Sequence, residues 1–267
     1  MARSIVTLTT DFGTADPYVG IMKGVILNVN PEAEIVDITH DIRAYDVMEA
    51  AFAVAQAYRY FPSRTVHLVV VDPGVGTPRR PLLVSAGTHQ FVCPDNGVLS
   101  VVFANETEGL TVRAIDATHY YLEPVSNTFH GRDVFAPVAG WLSRRVEVEK
   151  FGEPITDYVK YAPPAAKRLN DKLVKGVVIH VDRFGSLRTN ITPRDVPELF
   201  GADPKPFKIM AGKAEITIVR NAYAEGAPGE LFAIVGSTGF IEISSNRASA
   251  AQVVGTGKGT EIGIVLS

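Results

Sequence analysis

Apolar runs and helically spaced segments alternate along the first half of this chain. The run "TVHLVVVD" contains Val69, Val70 and Val71 in succession with no polar residue alternating among them. That pattern predicts a strand buried on both faces. "SIVTLTT" and "AEIVDIT" predict two further strands. Between those two, "DPYVGIMKGVILNVNP" has helical spacing that puts Tyr18, Ile21, Val25 and Val29 on one face until Pro31 stops it. "VMEAAFAVAQAYRYF" predicts a second helix, and the Asp46 carboxylate before it can accept hydrogen bonds from the first-turn amides. Such alternation predicts an α/β domain over residues 1–162, a mixed, largely parallel sheet with flanking helices. The polar, helix-poor stretch around Pro163 and Pro164 reads as a linker, residues 163–174. Over residues 175–267 the short runs "KGVVIHVD", "KIMAGKAEITIV", "ELFAIVGS" and "GFIEIS" are broken by Gly, Pro and Asn. They predict a small all-β domain, a barrel or a sandwich.

Composition acts mainly by exclusion. With 267 residues, 46% hydrophobic and 21% charged, the chain is of globular type and long enough for two domains. A net charge of -3 without a long basic run argues against nucleic acid and anionic membrane as partners. One cysteine, Cys93, rules out an intramolecular disulfide and fits a reducing compartment. No apolar stretch is long enough to span a bilayer. The start "MARSIVTLTTDFG" enters a strand almost at once, leaving no room for a secretory signal. The expected location is the cytoplasm.

Several stretches could carry chemistry. In "VVVDPGVGTPRR" a carboxylate, Asp72, ends an apolar strand, and two glycines would let the following loop return Arg79 to it. An ion pair that merely satisfies a strand end and a carboxylate in use both fit. "TTDFGTADPYVG" places Asp11 and Asp16 near the end of the first strand, where ligands gather in open α/β sheets; turn and cap roles fit as well. Neither phosphate-loop glycine motif occurs. "NTFHGRDVFAP" sets His130, a potential proton shuttle or a structural histidine, beside Phe129, Arg132 and Asp133. His40, His67, His89, His119 and His180 show no close pair at zinc-ligand spacing, so no metal site is expected. In the second half, Asp182, Tyr223, Ser237, Thr238, Ser245 and Asn246 lie on turns, where such residues are common.

Seven stretches in order, "TLTTDFG", "DITHDI", "VVVDPGVGT", "PDNGVLS", "TFHGRDVFAP", "DRFGSLRTNI" and "STGFIEIS", resemble the adenosine-forming S-adenosyl-L-methionine hydrolases, relatives of the fluorinases and chlorinases. The resemblance runs nearly end to end. It implies an N-terminal α/β domain and a C-terminal β-barrel. It also implies a homotrimer with active sites between the N-terminal domain of one subunit and the C-terminal domain of its neighbour. Asp72, Arg79 and His130 match the catalytic trio of the hydrolases. Asp11 matches the carboxylate that holds the ribose diol, and Asp16, Tyr45 and Phe129 match positions near the ligand. Tyr223 matches an adenine-stacking aromatic, and the backbone near Asn246 and Arg247 would read the base edge. Asp182, Ser186 and Ser237 fall where the methionine end is held; relatives often carry asparagine where Ser186 stands.

Fluorinases carry a tyrosine at the position of Asp72, a tyrosine–serine pair at His130 and Gly131, and an additional loop that the short "RRPLLVSAGTHQFVCPDNG" lacks. A carboxylate at the nucleophile would repel a halide and favour a polarised water. The resemblance therefore implies hydrolysis by in-line attack of water on the ribose 5′-carbon. Asp72 and His130 would hold the water and accept its proton, with Arg79 fixing Asp72. No metal or other cofactor is expected, since S-adenosyl-L-methionine is itself the substrate. Halide transfer to a 5′-halo nucleoside and a non-catalytic adenosine or S-adenosyl-L-methionine binder are the alternatives.

Overall fold

The computed structural model describes residues 3–200 and 205–267; Met1 and Ala2 of the amino-terminal stretch lie outside the described residues. Two compact units divide the chain, Met1–Pro163 and Pro164–Ser267.

The first unit holds strands β1 (Ile5–Thr10), β2 (Glu34–Thr39), β3 (Val66–Val70), β4 (Pro81–Ala86), β5 (His89–Pro94) and β6 (Thr111–Ala114). Their order in the sheet is β2-β1-β3-β5-β4-β6. The β1–β2, β1–β3 and β3–β5 pairs are parallel, while β4 runs antiparallel to β5 and β6. The expected mixed, largely parallel sheet is present. Its middle strand shows why an unbroken apolar run was needed. Val66, Leu68 and Val70 point into one core, whereas Val69 and Val71 enter the core on the opposite face. Helices α1 (Tyr18–Val29) and α4 (Ala136–Ser143) supply the first core, α2 (Val47–Ala57) and α3 (Ser100–Asn105) the second.

The face expected for α1 is only partly the buried one. Val19, Met22 and Ile26 are buried, whereas Tyr18 and Ile21 are 45% and 36% exposed. "YVGIMKGVILNV" is apolar nearly all round, so spacing alone admits two stripes. Packing against α4, where Gly140 sits against Val29, buries Val19, Met22 and Ile26, keeps Val25 and Val29 half-buried and leaves Tyr18 and Ile21 outside. The cap on α2 is as expected: Asp46 Oδ1 accepts from the Glu49 amide at 3.0 Å. Asp46→Ala should lower stability by about 1 kcal/mol, read as a shifted urea midpoint with unchanged slope; an unchanged midpoint would remove the cap from this account.

The second unit contains β7 (Lys167–Asn170), β8 (Leu173–Val181), β9 (Leu187–Thr189), β10 (Phe207–Ala211), β11 (Ala214–Ile216), β12 (Leu231–Val235), β13 (Ile241–Ser245) and β14 (Glu261–Leu266), with the short helix α5 (Ala250–Val254). The order is β11-β10-β14-β8-β9-β13-β12. Nine-residue β8 serves both halves, pairing β14 through its first part and β9 through its last. A bridge from Val219 to Ala233 brings the chain after β11 to β12, so the sheet nearly closes into the expected barrel around Val174, Leu187, Ile209, Ile243 and Ile264. The stretch read as a linker is shorter than 163–174, because Lys167–Asn170 forms β7 against β8. All four β7 residues are exposed, so backbone pairing alone holds them and no apolar alternation marks the strand.

Candidate active site

From β1 the chain passes through α1 to β2 on one side, then through α2 to β3 on the other. The strand order thus reverses between β1 and β3, and in open α/β sheets the crevice beyond the carboxyl ends at such a point receives ligands. Asp11 follows β1 there and Asp72 follows β3; their strands end in register, Thr10 opposite Val70.

The loop after Asp72 does what its glycines suggest. The Val75 amide donates to the Asp72 carbonyl at 3.2 Å, and Thr77 to Gly74 at 3.1 Å. Gly76 has φ +78, and a Cβ there would lie 2.3 Å from the Asn127 carbonyl oxygen. Only glycine lets this loop approach the segment that leads to His130. Arg79 then returns to Asp72: Nε donates to Oδ1 at 2.6 Å and Nη2 donates to Oδ2. Nη2 also contacts His130 Nδ1 at 3.0 Å. The Arg79 and Asp72 side chains are only 8% and 5% exposed, and the guanidinium lies 5.6 Å from the centre of the Phe135 ring. Asn96, which the sequence reading passed over inside "PDNGVLS", donates from Nδ2 to the Val71 carbonyl at 2.9 Å and anchors the peptide preceding Asp72.

His130 immediately precedes a π-helical turn, Gly131–Phe135, a distortion often found at functional sites. Burial lowers the His130 pKa, and the Arg79 charge lowers it further, against smaller opposing effects of Asp72 and Asp133. The ring is therefore neutral at pH 7. A guanidinium can only donate, so Nδ1 is the acceptor and the ring proton resides on Nε2. That differs from the expectation that His130 shares the task of accepting a proton. Its basic nitrogen is already taken by Arg79.

Asp72 and His130 border a cleft of about 320 Å³ lined also by Asp11, Phe12, Tyr18, Tyr45 and Phe129, with Arg79 behind them. Asp11 Oδ2 accepts from the Tyr45 amide at 2.8 Å, and Tyr45, in the left-handed region at φ 68, is 74% exposed. Phe12, Tyr18 and Phe129 meet edge to face with centroids 5.3–6.0 Å apart. Of these, Phe12 and Tyr18 are not among the expected site residues; helical spacing gives Tyr18 only a place on one face of α1. Asp16 is exposed, precedes α1 and does not line the cleft.

The remaining expected residues belong to the second unit, where Asp182, Ser186, Tyr223 and Arg247 line a cavity of about 560 Å³. Asp182 Oδ1 accepts from the Phe184 and Ser186 amides, both at 2.9 Å. The Ser186 hydroxyl accepts from Ser244 at 3.1 Å. Ser237 and Asn246 do not line this cavity. Ser237 is exposed on the turn between β12 and β13. Asn246 Nδ2 donates to the Gly226 carbonyl at 2.7 Å, and its own carbonyl accepts from Gly229 at 3.0 Å, so Asn246 ties down the loop after Tyr223. Glu242, also unforeseen, is buried beneath Tyr223.

Contrary to the sequence spacing, two histidines do meet. His67 Nε2 lies 3.2 Å from His89 Nδ1, in a buried cluster where His67 Nδ1 contacts Thr7 Oγ1 at 2.8 Å. Burial first and His89 second push the His67 pKa down to about 3, so this pair is neutral. Among the described residues no group of three or more His, Cys, Asp and Glu could hold a metal ion, and no helix is long and apolar enough to cross a membrane.

The family model for the SAM hydroxide adenosyltransferase N-terminal domain matches residues 6–152, and that for the C-terminal domain of the same family matches residues 176–263. An (R)-S-adenosyl-L-methionine hydrolase of Salinispora tropica is 34% identical over 96% of both chains. A fluorinase of Actinopolyspora mzabensis is 25% identical, covering 100% of this chain and 98% of its own. A crystal structure of an uncharacterized conserved protein from Thermotoga maritima superimposes with a TM-score of 0.88 at 36% identity, covering 98% of this chain and 99% of that one.

Proposed function

This chain belongs to the SAM hydroxide adenosyltransferase family, and from that membership we infer that it hydrolyses S-adenosyl-L-methionine to adenosine and L-methionine. The observation that carries the chemistry is the contact of Arg79 with both Asp72 and His130, which line a cleft that also presents Asp11 and Phe129. The substrate supplies its own leaving group, because a sulfonium departs as a neutral thioether. The protein must hold a water in line behind the ribose 5′-carbon and take its proton. As the C5′–O bond forms, the C5′–S bond breaks and its electron pair goes to sulfur.

We assign the proton to Asp72. Arg79 is too basic to accept it, and His130 Nδ1 already accepts from Arg79. His130 Nε2–H then orients the water as a donor, while Arg79 holds both partners. Alignment can supply roughly 7–11 kcal/mol. Asp11 would hold the ribose diol, with Tyr45 and Phe129 beside it. Asp182, Ser186, Tyr223 and Arg247 would hold the methionine end and the base. On the family resemblance the reading extends to a cytoplasmic homotrimer with sites made jointly by neighbouring subunits. It needs no metal or further cofactor and has no nucleic-acid partner.

Incubation with S-adenosyl-L-methionine in ¹⁸O-labelled water should yield adenosine labelled at the 5′-oxygen together with methionine. Added chloride should yield no 5′-chloro nucleoside; its appearance as the main product would replace hydrolysis with halide transfer. The imidazole assignment has its own test. His130→Gln keeps an N–H donor, so kcat should fall only about tenfold, far less than expected for loss of a general base. In the wild type, activity should fall on acidification only below the ordinary histidine value of about 6.5, because the folded-state pKa is lowered and the neutral ring persists further into acid. A loss in His130→Gln as deep as that of Asp72→Asn would make His130 the base instead.

A further inference from the structure

Tyr223 begins a single 3₁₀ turn, Tyr223–Glu225, and is 48% exposed at the cavity of the second unit. Its hydroxyl donates to Glu242 Oε2 at 3.1 Å. The other carboxylate oxygen accepts from Arg188 Nε at 3.0 Å. Arg188 on β9 and Glu242 on β13 are directly opposite one another in the antiparallel pair. Glu242 is 3% exposed and so closely packed that a Cβ on Gly236 would lie 2.4 Å from Oε1.

A carboxylate inside the otherwise apolar run "GFIEIS" is expensive to desolvate, and an apolar pair of similar volume would serve stability as well or better. The charge therefore calls for a use. What Glu242 touches, besides its ion-pair partner, is the phenol of a ring whose body stays open to the cavity. Burial and the neighbouring carboxylate both raise the Tyr223 pKa, so the phenol keeps its proton and remains a donor.

We propose that Glu242, itself held by Arg188, is a positioning residue that fixes the ring of Tyr223 as a preformed platform for stacking the adenine of the substrate. The proposal rests on the reading of the function given above. An untethered surface tyrosine samples several rotamers, and binding must then immobilise it. Tethering at the far end of the ring removes that cost before the ligand arrives while leaving the faces free. The base takes no part in bond breaking, so the gain is shared by substrate and transition state and falls on binding rather than on kcat.

The test uses the full chain and two readouts: adenosine affinity by calorimetry, and kcat and KM for S-adenosyl-L-methionine. Tyr223→Phe keeps the ring and deletes only the tether. It should weaken adenosine binding and raise KM roughly 3- to 10-fold, with kcat within about twofold. Glu242→Met, which keeps the volume and offers the phenol no carboxylate, should act in the same direction, and the double variant should be no weaker than the worse single one, since both changes cut one link. Unchanged adenosine affinity in Tyr223→Phe, or fully additive losses in the double variant, overturns the tether. A wild-type chain that neither binds adenosine nor turns over S-adenosyl-L-methionine overturns the reading of the function, and the platform with it.

Discussion

Asp72→Asn is expected to lower kcat for S-adenosyl-L-methionine hydrolysis by roughly 10²- to 10⁴-fold, with KM changed only a few-fold. Asparagine reproduces the shape of the side chain but offers no carboxylate to receive a proton. Two features make the effect large. Asp72 is the one base of the trio not already accepting all it can: its two oxygens share contacts with Arg79 yet retain lone pairs, whereas the basic nitrogen of His130 is spoken for. In addition, the side chain is 5% exposed, so bulk water is poorly placed to substitute for it. On the proposed reading, substrate binding draws on Asp11 and on Asp182, Ser186, Tyr223 and Arg247 rather than on the Asp72 carboxylate. Adenosine affinity by calorimetry is the control, and it should be unchanged. A variant that retains kcat to within about tenfold would show that Asp72 only arranges the loop.

Much of the first unit was legible because its chemistry is local. The run through Val66–Val71 had to be buried on both faces, and it is, with alternate residues feeding two cores. The return of Arg79 to Asp72 could be read from a glycine-containing loop that sets them seven positions apart. Of the two meanings considered for that carboxylate, the ion pair is present, with Arg79 donating to both oxygens. The contacts that escaped the sequence are those made by pairing between distant strands. His67 and His89 are 22 positions apart, and only the parallel pairing of β3 with β5 unites them. Glu242 meets Arg188 across 54 positions through the β9–β13 pair, and a three-residue strand such as β9 is too short to display a period. Asn246, like the sequence of any turn, advertised a polar side chain but not its partner, which is a carbonyl of its own loop. On α1 the fault was ambiguity rather than distance, for an all-round apolar helix offers no polar face to orient it.

Arg79→Met should be the most destabilising of the site substitutions, by about 3–5 kcal/mol, and should abolish turnover as completely as Asp72→Asn. The methylene stem is replaced by a side chain of similar reach, so packing beside Phe135 is largely kept and the loss is electrostatic. What remains is a carboxylate 5% exposed, stripped of both donors that satisfied it. Stability and catalysis can be separated by the double variant Asp72→Asn with Arg79→Met. Removing both charges eliminates the unpaired one, so the double variant should recover about 1–3 kcal/mol over Arg79→Met alone, measured by denaturant unfolding at pH 7. Turnover should not recover at all, because the proton acceptor is gone along with its holder. Equal stability of Arg79→Met and wild type would mean that water reaches Asp72 freely, and a carboxylate so well hydrated could not serve as the desolvated base on which the mechanism depends.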